Sequence, residues 1–349
     1  MAPIFRSTTL SARFTGNHLL RKHRIHPLVV GSHQSKHDRQ AKVSVLCLDT
    51  PLDVISRCYS KPPALPGPTP HPQWSIHHPN SWNWSSGDII TYLERWCSNP
   101  SDDIENMVDR QELRQLYNRI VQPSCERGTP FVAGTTSPLI YLTVGHGRGS
   151  CIPITEFYTA MGWIISKVES HGTHPLDYCK ILATYAKWCH TIWKDLFPGT
   201  CVPTTASIKV VALPSGVSHG SARHSFWVST SLPHANLKEE ARLIREKYMH
   251  DLFGRLPDAP IYVEAIKQGE DCGRVKWGHC AETLTTMCSY FHVSFPGLMC
   301  GVTIKLKPVA KAPKYMQVTF KNAALEACDN CKTMMKHAKI VYNDWYHQG

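Results

Sequence analysis

Four residues in the last third of the chain have the types and spacing that metal chemistry needs. Cys280 and Glu282 stand two apart in "VKWGHCAETLTTM" (275–287), and Cys328 and Cys331 form a Cys-x-x-Cys in "EACDNCKTMM" (326–335). Each motif opens a stretch that reads as the start of a helix. The helix dipole there favours a thiolate, and positions i and i+3 share one face. Three thiolates would hold tetrahedral Zn²⁺ and leave its fourth position open for water. Glu282 would lie close to that position without filling it, placed to take a proton from water and pass it to a leaving group. This arrangement suits hydrolytic deamination of a nucleobase. With 14 cysteines in 349 residues, about half of one Cys-x-x-Cys is expected by chance, so the weight falls on the whole constellation. His279, next to Cys280, is an alternative ligand. Trp277, Tyr290 and Phe291 are candidates to stack a base, or they are core aromatics.

Periodicity indicates the elements that position these residues. "SIKVVAL" (207–213) and "HSFWVSTSL" (224–232) read as strands. "ANLKEEARLIREKYMHDLFGRLP" reads as a helix, with Asn236 as N-cap, Glu239 three residues on, and a buried stripe of Ala241, Ile244, Tyr248 and Leu252. "IYVEAIK", "GVTIKLK", "YMQVTF" and "KIVYNDW" read as further strands. Short connections between mixed strands and helices predict a three-layer α/β domain over 205–349. Residues 73–204 read as mostly helical: "SSGDIITYLERW", "SDDIENMVDRQELRQLYNRI", a series Ile154, Phe157, Met161, Ile164, Val168, and a series Cys179, Leu182, Ala186, Cys189, Trp193, Leu196. Cysteines in the last series pack as small hydrophobes. "VGHGRGS" (144–150) lacks the Gly-Lys-Ser/Thr of a phosphate loop and reads as a turn.

"HCAET…ACDNC" resembles the zinc-dependent deaminases of the cytidine deaminase-like superfamily, whose pattern is a His or Cys, then Ala-Glu, then Pro-Cys-x-x-Cys. The cysteine first ligand and the "CxNC" ending look most like the toxin-type (YwqJ-like) branch and its fungal relatives. The resemblance implies a three-layer α/β/α domain, zinc on Cys280, Cys328 and Cys331, and Glu282 as the proton shuttle. The order of helix, strand, Cys-Ala-Glu helix, strand and Cys-x-x-Cys helix is similar too. Ala327 stands where the family has proline. The implied substrate is a nucleobase-containing small molecule or a nucleic acid. A different class of function fits the same cysteines: a non-catalytic zinc-stabilised module whose helical region binds a protein partner.

The chain is 42% hydrophobic and carries a net charge of +11. Six of those charges, Arg6, Arg13, Arg21, Lys22, Arg24 and Lys36, lie in an acid-free start over 1–37. The charge therefore sits mostly in the tail and argues little for a nucleic-acid groove. Residues 1–72 read as a basic tail and a stiff linker, "PPALPGPTPHP" over 62–72. The start also resembles a mitochondrial presequence, but lacks the compact apolar stretch of a secretory signal. No apolar run approaches the roughly 18 residues that span a bilayer. Cysteines in this context point to reduced thiols or metal ligands. The expectation is an intracellular protein, cytoplasmic or nuclear, or mitochondrial through residues 1–37. His71, His77 and His78, interrupted by prolines, read as bystanders more than as ligands.

Overall fold

A five-stranded sheet carries the cysteine-bearing helices. The computed structural model describes residues 75–98, 107–134, 139–144, 152–169, 175–212, 224–253, 275–292, 298–337 and 341–344. The tail and linker over 1–72, the expected strand 261–267 and the glycine-rich turn after Val144 lie outside the described residues. The architecture is mixed α/β. All described residues fall in one compact unit, and the helices before residue 205 share one hydrophobic core with the sheet after it.

In chain order the elements are α1 (Ser86–Ser98), α2 (Met107–Leu116), a π turn over Tyr117–Val121, α3 (Gln122–Arg127), β1 (Leu142–Val144), β2 (Ile152–Ile154), α4 (Phe157–Val168) and α5 (Pro175–Leu196). Then come β3 (Thr205–Ala212), β4 (His224–Thr230), α6 (Lys238–Phe253), α7 (Ala281–His292), β5 (Leu298–Lys305), α8 (Leu306–Ala310), α9 (Gln317–Ala323), β6 (Ala324–Leu325), α10 (Asp329–His337) and β7 (Val341–Asp344). The main sheet runs β4-β3-β5, with β6 and β7 both on the far side of β5. The β3–β4, β3–β5 and β5–β6 pairs are antiparallel; β5–β7 is parallel. Among the described helices none is long and apolar enough to cross a membrane.

Alternation along β3 gives the sheet two different faces. Ala206, Ile208 and Val210 face α5, whose Tyr178 ring packs 5.7 Å from Phe226 of β4. The opposite face carries Ser207, Lys209, Ser229 and Thr303, all buried. It is covered by α7, whose Ala281 carbonyl accepts a hydrogen bond from Ser229 Oγ at 2.5 Å. A polar strand face is ordinarily the solvated one; here it is roofed by the helix that follows Cys280.

Helix α4 lies along the outer edge of β4. Ser166 Oγ accepts the Val228 N–H at 3.1 Å. A Cβ on Gly162 would sit 2.3 Å from the Val228 carbonyl oxygen, so only glycine permits this approach. Glu156 caps α4, accepting from the Tyr158 N–H at 2.5 Å and the Thr159 N–H at 2.9 Å. Its carboxylate is paired with Arg245 of α6 at 3.2 Å, both side chains fully buried.

Several expectations are corrected. Ile154 belongs to β2, not to the helix that follows, because the extended Glu156 (φ −159, ψ 166) breaks the chain direction before Phe157. "YMQVTF" is not a strand: Gln317–Ala323 is helical, with Phe320 and Ala323 turned inward three residues apart. Tertiary packing overrides the β propensity of its Val, Thr and Phe. Asn236 is not the cap of α6, which starts at Lys238 after Leu237 takes φ 69. Glu239 bonds Arg242 instead, at 2.7 Å. The buried stripe of α6 is Ala241, Arg242, Arg245 and Met249, while Ile244, Tyr248 and Leu252 are only half-buried. The two arginines take the inner positions because each finds carboxylate partners there.

Candidate metal centre

The loop before α7 is fixed before its cysteine is presented. Gly278 takes φ 79, and a Cβ there would lie 2.6 Å from the Arg242 carbonyl oxygen. Arg242 Nη1 donates to the Trp277 carbonyl at 3.0 Å, and the Leu232 N–H donates to the His279 carbonyl at 3.2 Å. The loop thus rests on α6 and on the end of β4, leaving Cys280 immediately before α7. The second motif is tied to it directly. Asn330, buried in the first turn of α10, donates from Nδ2 to the Val275 carbonyl at 2.5 Å. The Lys332 N–H donates to the Cys328 carbonyl at 2.9 Å, which seats Cys328 as the residue from which α10 departs.

These ties gather the three cysteines. The Sγ atoms of Cys280, Cys328 and Cys331 lie within 4.8 Å of one another, and Cys280 and Cys328 approach to 3.2 Å. Zn–S bonds of about 2.3 Å in a tetrahedron place sulfurs roughly 3.8 Å apart, so this donor set fits zinc after small side-chain rotations. His279 is not in the cluster. Its burial and the nearby Lys238 and Arg245 charges lower its pKa to about 4, so it stands beside the centre as a neutral ring.

Charge at the cluster is unevenly divided. Cys328 is held well below the ordinary thiol range, because the Cys280 and Cys331 thiols donate to it and the Cys331 and Asn330 N–H groups point at it. The start of α10 thus acts as a helix N-terminus does on a thiolate. Cys331 moves the opposite way, raised by its sulfur contacts with Cys280 and Cys328 and by burial.

Glu282, in the first turn of α7, is only 4% exposed. Burial raises its pKa; the Lys209 ammonium and a hydrogen bond with Thr303 oppose that rise, and the Cys328 charge adds to it. Its charge in turn raises Cys280 and Cys331, so carboxylate and sulfurs share one electrostatic site. Thr303 Oγ1 is 3.0 Å from Ser207 Oγ, which ties the floor of the site across β3 and β5. Lys209 runs along that floor opposite Gly301, where a Cβ would come 2.8 Å from Lys209 Cδ.

Lys209, Ser207 and Thr303 were not singled out by the motifs. The available signal was Lys209 itself, a lysine set inside the apolar strand "SIKVVA". The other candidates fall elsewhere. Trp277 is buried and Tyr290 half-buried in the core cluster; the Phe291 side chain and His71 are outside the described residues. His78 Nδ1 accepts the Asn80 N–H at 3.2 Å, a local turn bond. Comparison of the chain with protein-family models, with curated proteins and with solved structures found no match.

Proposed function

We propose that the chain is a zinc-dependent hydrolytic deaminase acting on the amino group of a nucleobase, free or within a nucleotide or nucleic acid. The observation that carries this reading is a non-ligating carboxylate, Glu282, buried in the same electrostatic site as three clustered thiols. A zinc ion that only stabilises a fold needs no such neighbour. The order β3, β4, α6, α7 with Cys-Ala-Glu, β5, α10 with Cys-x-x-Cys supports the three-layer deaminase-like domain that the motif resemblance implies.

Cys280, Cys328 and Cys331 would hold the ion, and zinc so bound supplies Lewis acidity toward water. Glu282 carries the protons. Its carboxylate oxygen takes one from the attacking water as oxygen adds to the amine-bearing carbon and passes it to the ring nitrogen, then takes the second from the new hydroxyl and delivers it to the departing amino nitrogen. The C–N bond breaks, ammonia leaves and a carbonyl remains. Lys209 and Thr303 fix the carboxylate in place and offset the cost of burying its charge. Roofing by α7 keeps bulk water from the floor and strengthens each of these interactions.

The test combines metal content with turnover. Purified protein is expected to carry about one zinc per chain, which Cys328→Ser loses together with thermal stability. Mass spectrometry of a panel of bases, nucleotides and oligonucleotides is expected to find amine-to-carbonyl conversion. Glu282→Gln should keep zinc and melting temperature while turnover drops about 10²–10⁴-fold. Zinc-free, well-folded protein would sink the proposal. The depth of Glu282, 4% exposed, favours one second reading, a non-catalytic zinc-stabilised module with a helical interaction region. Under it Glu282→Gln unfolds the domain, and no base is converted.

A further inference from the structure

Two sulfurs of the cluster stand close to bonding each other. Cys280 Sγ and Cys328 Sγ are 3.2 Å apart, and a disulfide of about 2.05 Å needs them to close by only about 1.2 Å. The pair is 48 residues apart in sequence, so this approach is built by the fold. Backbone ties hold it without help from the sulfurs: Asn330 of α10 donates to the Val275 carbonyl, and the Lys332 N–H donates to that of Cys328. Access divides the three cysteines. Cys280 is 8% exposed and Cys331 2%, whereas Cys328, just before α10, is half-buried. Cys328 is therefore the sulfur that a small reagent reaches first, and Cys280 is the thiol in contact with it.

We propose that Cys328 is a site of oxidation by hydroperoxides, and that it then forms a disulfide with Cys280 which empties the metal centre and reversibly switches the protein off. The inference rests on the zinc deaminase reading for what is switched. The Cys328 thiolate attacks the O–O bond of the hydroperoxide. An S–O bond forms, the O–O bond breaks, and the leaving oxygen takes a proton from solvent. The Cys280 thiol then attacks the Cys328 sulfur. The S–S bond forms, the S–O bond breaks, and hydroxide leaves as water with the Cys280 proton. Two thiols lose two electrons, and the hydroperoxide gains them. Of the three clustered donors Cys331 alone remains, too few to retain zinc, and Glu282 is left without the activated water it works on. The new bond joins two motifs already tied together by Asn330, so reduction returns the three thiols to their places. It also closes a long loop, which restricts the unfolded chain and favours the folded domain while the metal is absent.

Hydrogen peroxide added to the reduced, zinc-loaded full chain tests the switch, with released zinc read by a chromogenic chelator and the new bond by peptide mapping without reductant. Trypsin together with a protease that cuts before aspartate places Cys280, Cys328 and Cys331 in separate peptides, 277–305, 322–328 and 329–332. Release of about one zinc per chain should keep pace with a link between the first two peptides, and dithiothreitol with added zinc should reverse both. Cys331→Ser keeps both partners and should still link. Cys280→Ser should not, which separates Cys280 from Cys288 and Cys300 in the same peptide. Zinc retained under peroxide overturns the proposal, as does a Cys328–Cys331 bond in place of the link, or sulfinic acid at Cys328 that dithiothreitol does not reverse. Base conversion that peroxide leaves unchanged, with zinc retained, would defeat the switch alone. A Cys280–Cys328 link in protein that holds no zinc when reduced would defeat the deaminase reading and leave the thiol pair standing.

Discussion

Glu156→Gln should cost the fold about 4–6 kcal/mol, far from the cysteine cluster in sequence. The carboxylate accepts at two oxygens, from the Tyr158 N–H through Oε2 and from the Thr159 N–H through Oε1. It also receives the Thr159 hydroxyl. Glutamine offers one acceptor and turns an N–H toward the other donor, losing about 1 kcal/mol of cap. The larger effect is on Arg245, whose side chain is 0% exposed and 3.2 Å from Glu156. Burial already lowers the Arg245 pKa to about 10, with Glu156 the main group opposing the shift. Removing that partner strands a buried cation, at about 3–5 kcal/mol. At roughly 2 °C per kcal/mol for a chain of this size, the melting temperature should fall about 10 °C. The double variant Glu156→Gln/Arg245→Met removes both charges and should be more stable than Glu156→Gln alone, with a coupling of about 2–3 kcal/mol. A melting temperature within about 2 °C of wild type for Glu156→Gln refutes the reasoning, as does a double variant less stable than both singles.

Gly162→Ala should lower the melting temperature sharply or give insoluble protein, since its Cβ meets the Val228 carbonyl oxygen at 2.3 Å; Gly87→Ala, 3.7 Å from Ser85 Oγ, should be neutral or stabilising in the same assay. A chain beginning at Gln73 should stay soluble and melt with the full-length protein, and a large loss of stability would show that residues 1–72 pack on the fold. His190, with its pKa lowered from 6.5, binds fewer protons folded than unfolded. Stability should therefore fall as pH drops below about 6.5. Lys307→Gln/Lys311→Gln should raise the His190 pKa, followed by NMR titration, and lessen that acid loss.

The cysteine cluster was legible because its three thiols lie in two short motifs at helix starts, and local sequence decides both. The floor beneath it was not. "SIKV" alternates polar and apolar residues, the pattern of a half-solvated strand, and nothing local says that α7 will cover the polar side. Burial of Ser207 and Lys209 is decided by a helix more than seventy residues downstream, together with Thr303 on a strand further still. Arg245 was hidden for a similar reason. The apolar spacing of Ala241, Ile244, Tyr248 and Leu252 was read as the inner face, but Glu156 lies across from Arg245 and turns α6 so that the arginine points inward. Ile154 and "YMQVTF" depart from their local patterns because a cap and a pair of core contacts outweigh propensity.

The packing of α4 on β4 has a consequence for self-association. A strand at a sheet edge offers open N–H and carbonyl groups to any neighbouring chain, and such edges seed aggregates. Along β4 the Val228 N–H is already taken by Ser166 Oγ, and the Gly162 backbone lies against the Val228 carbonyl. Another copy of the chain therefore finds no open template at Val228. A glycine and a serine, four residues apart on one helix, thus close the middle of β4 to a further strand.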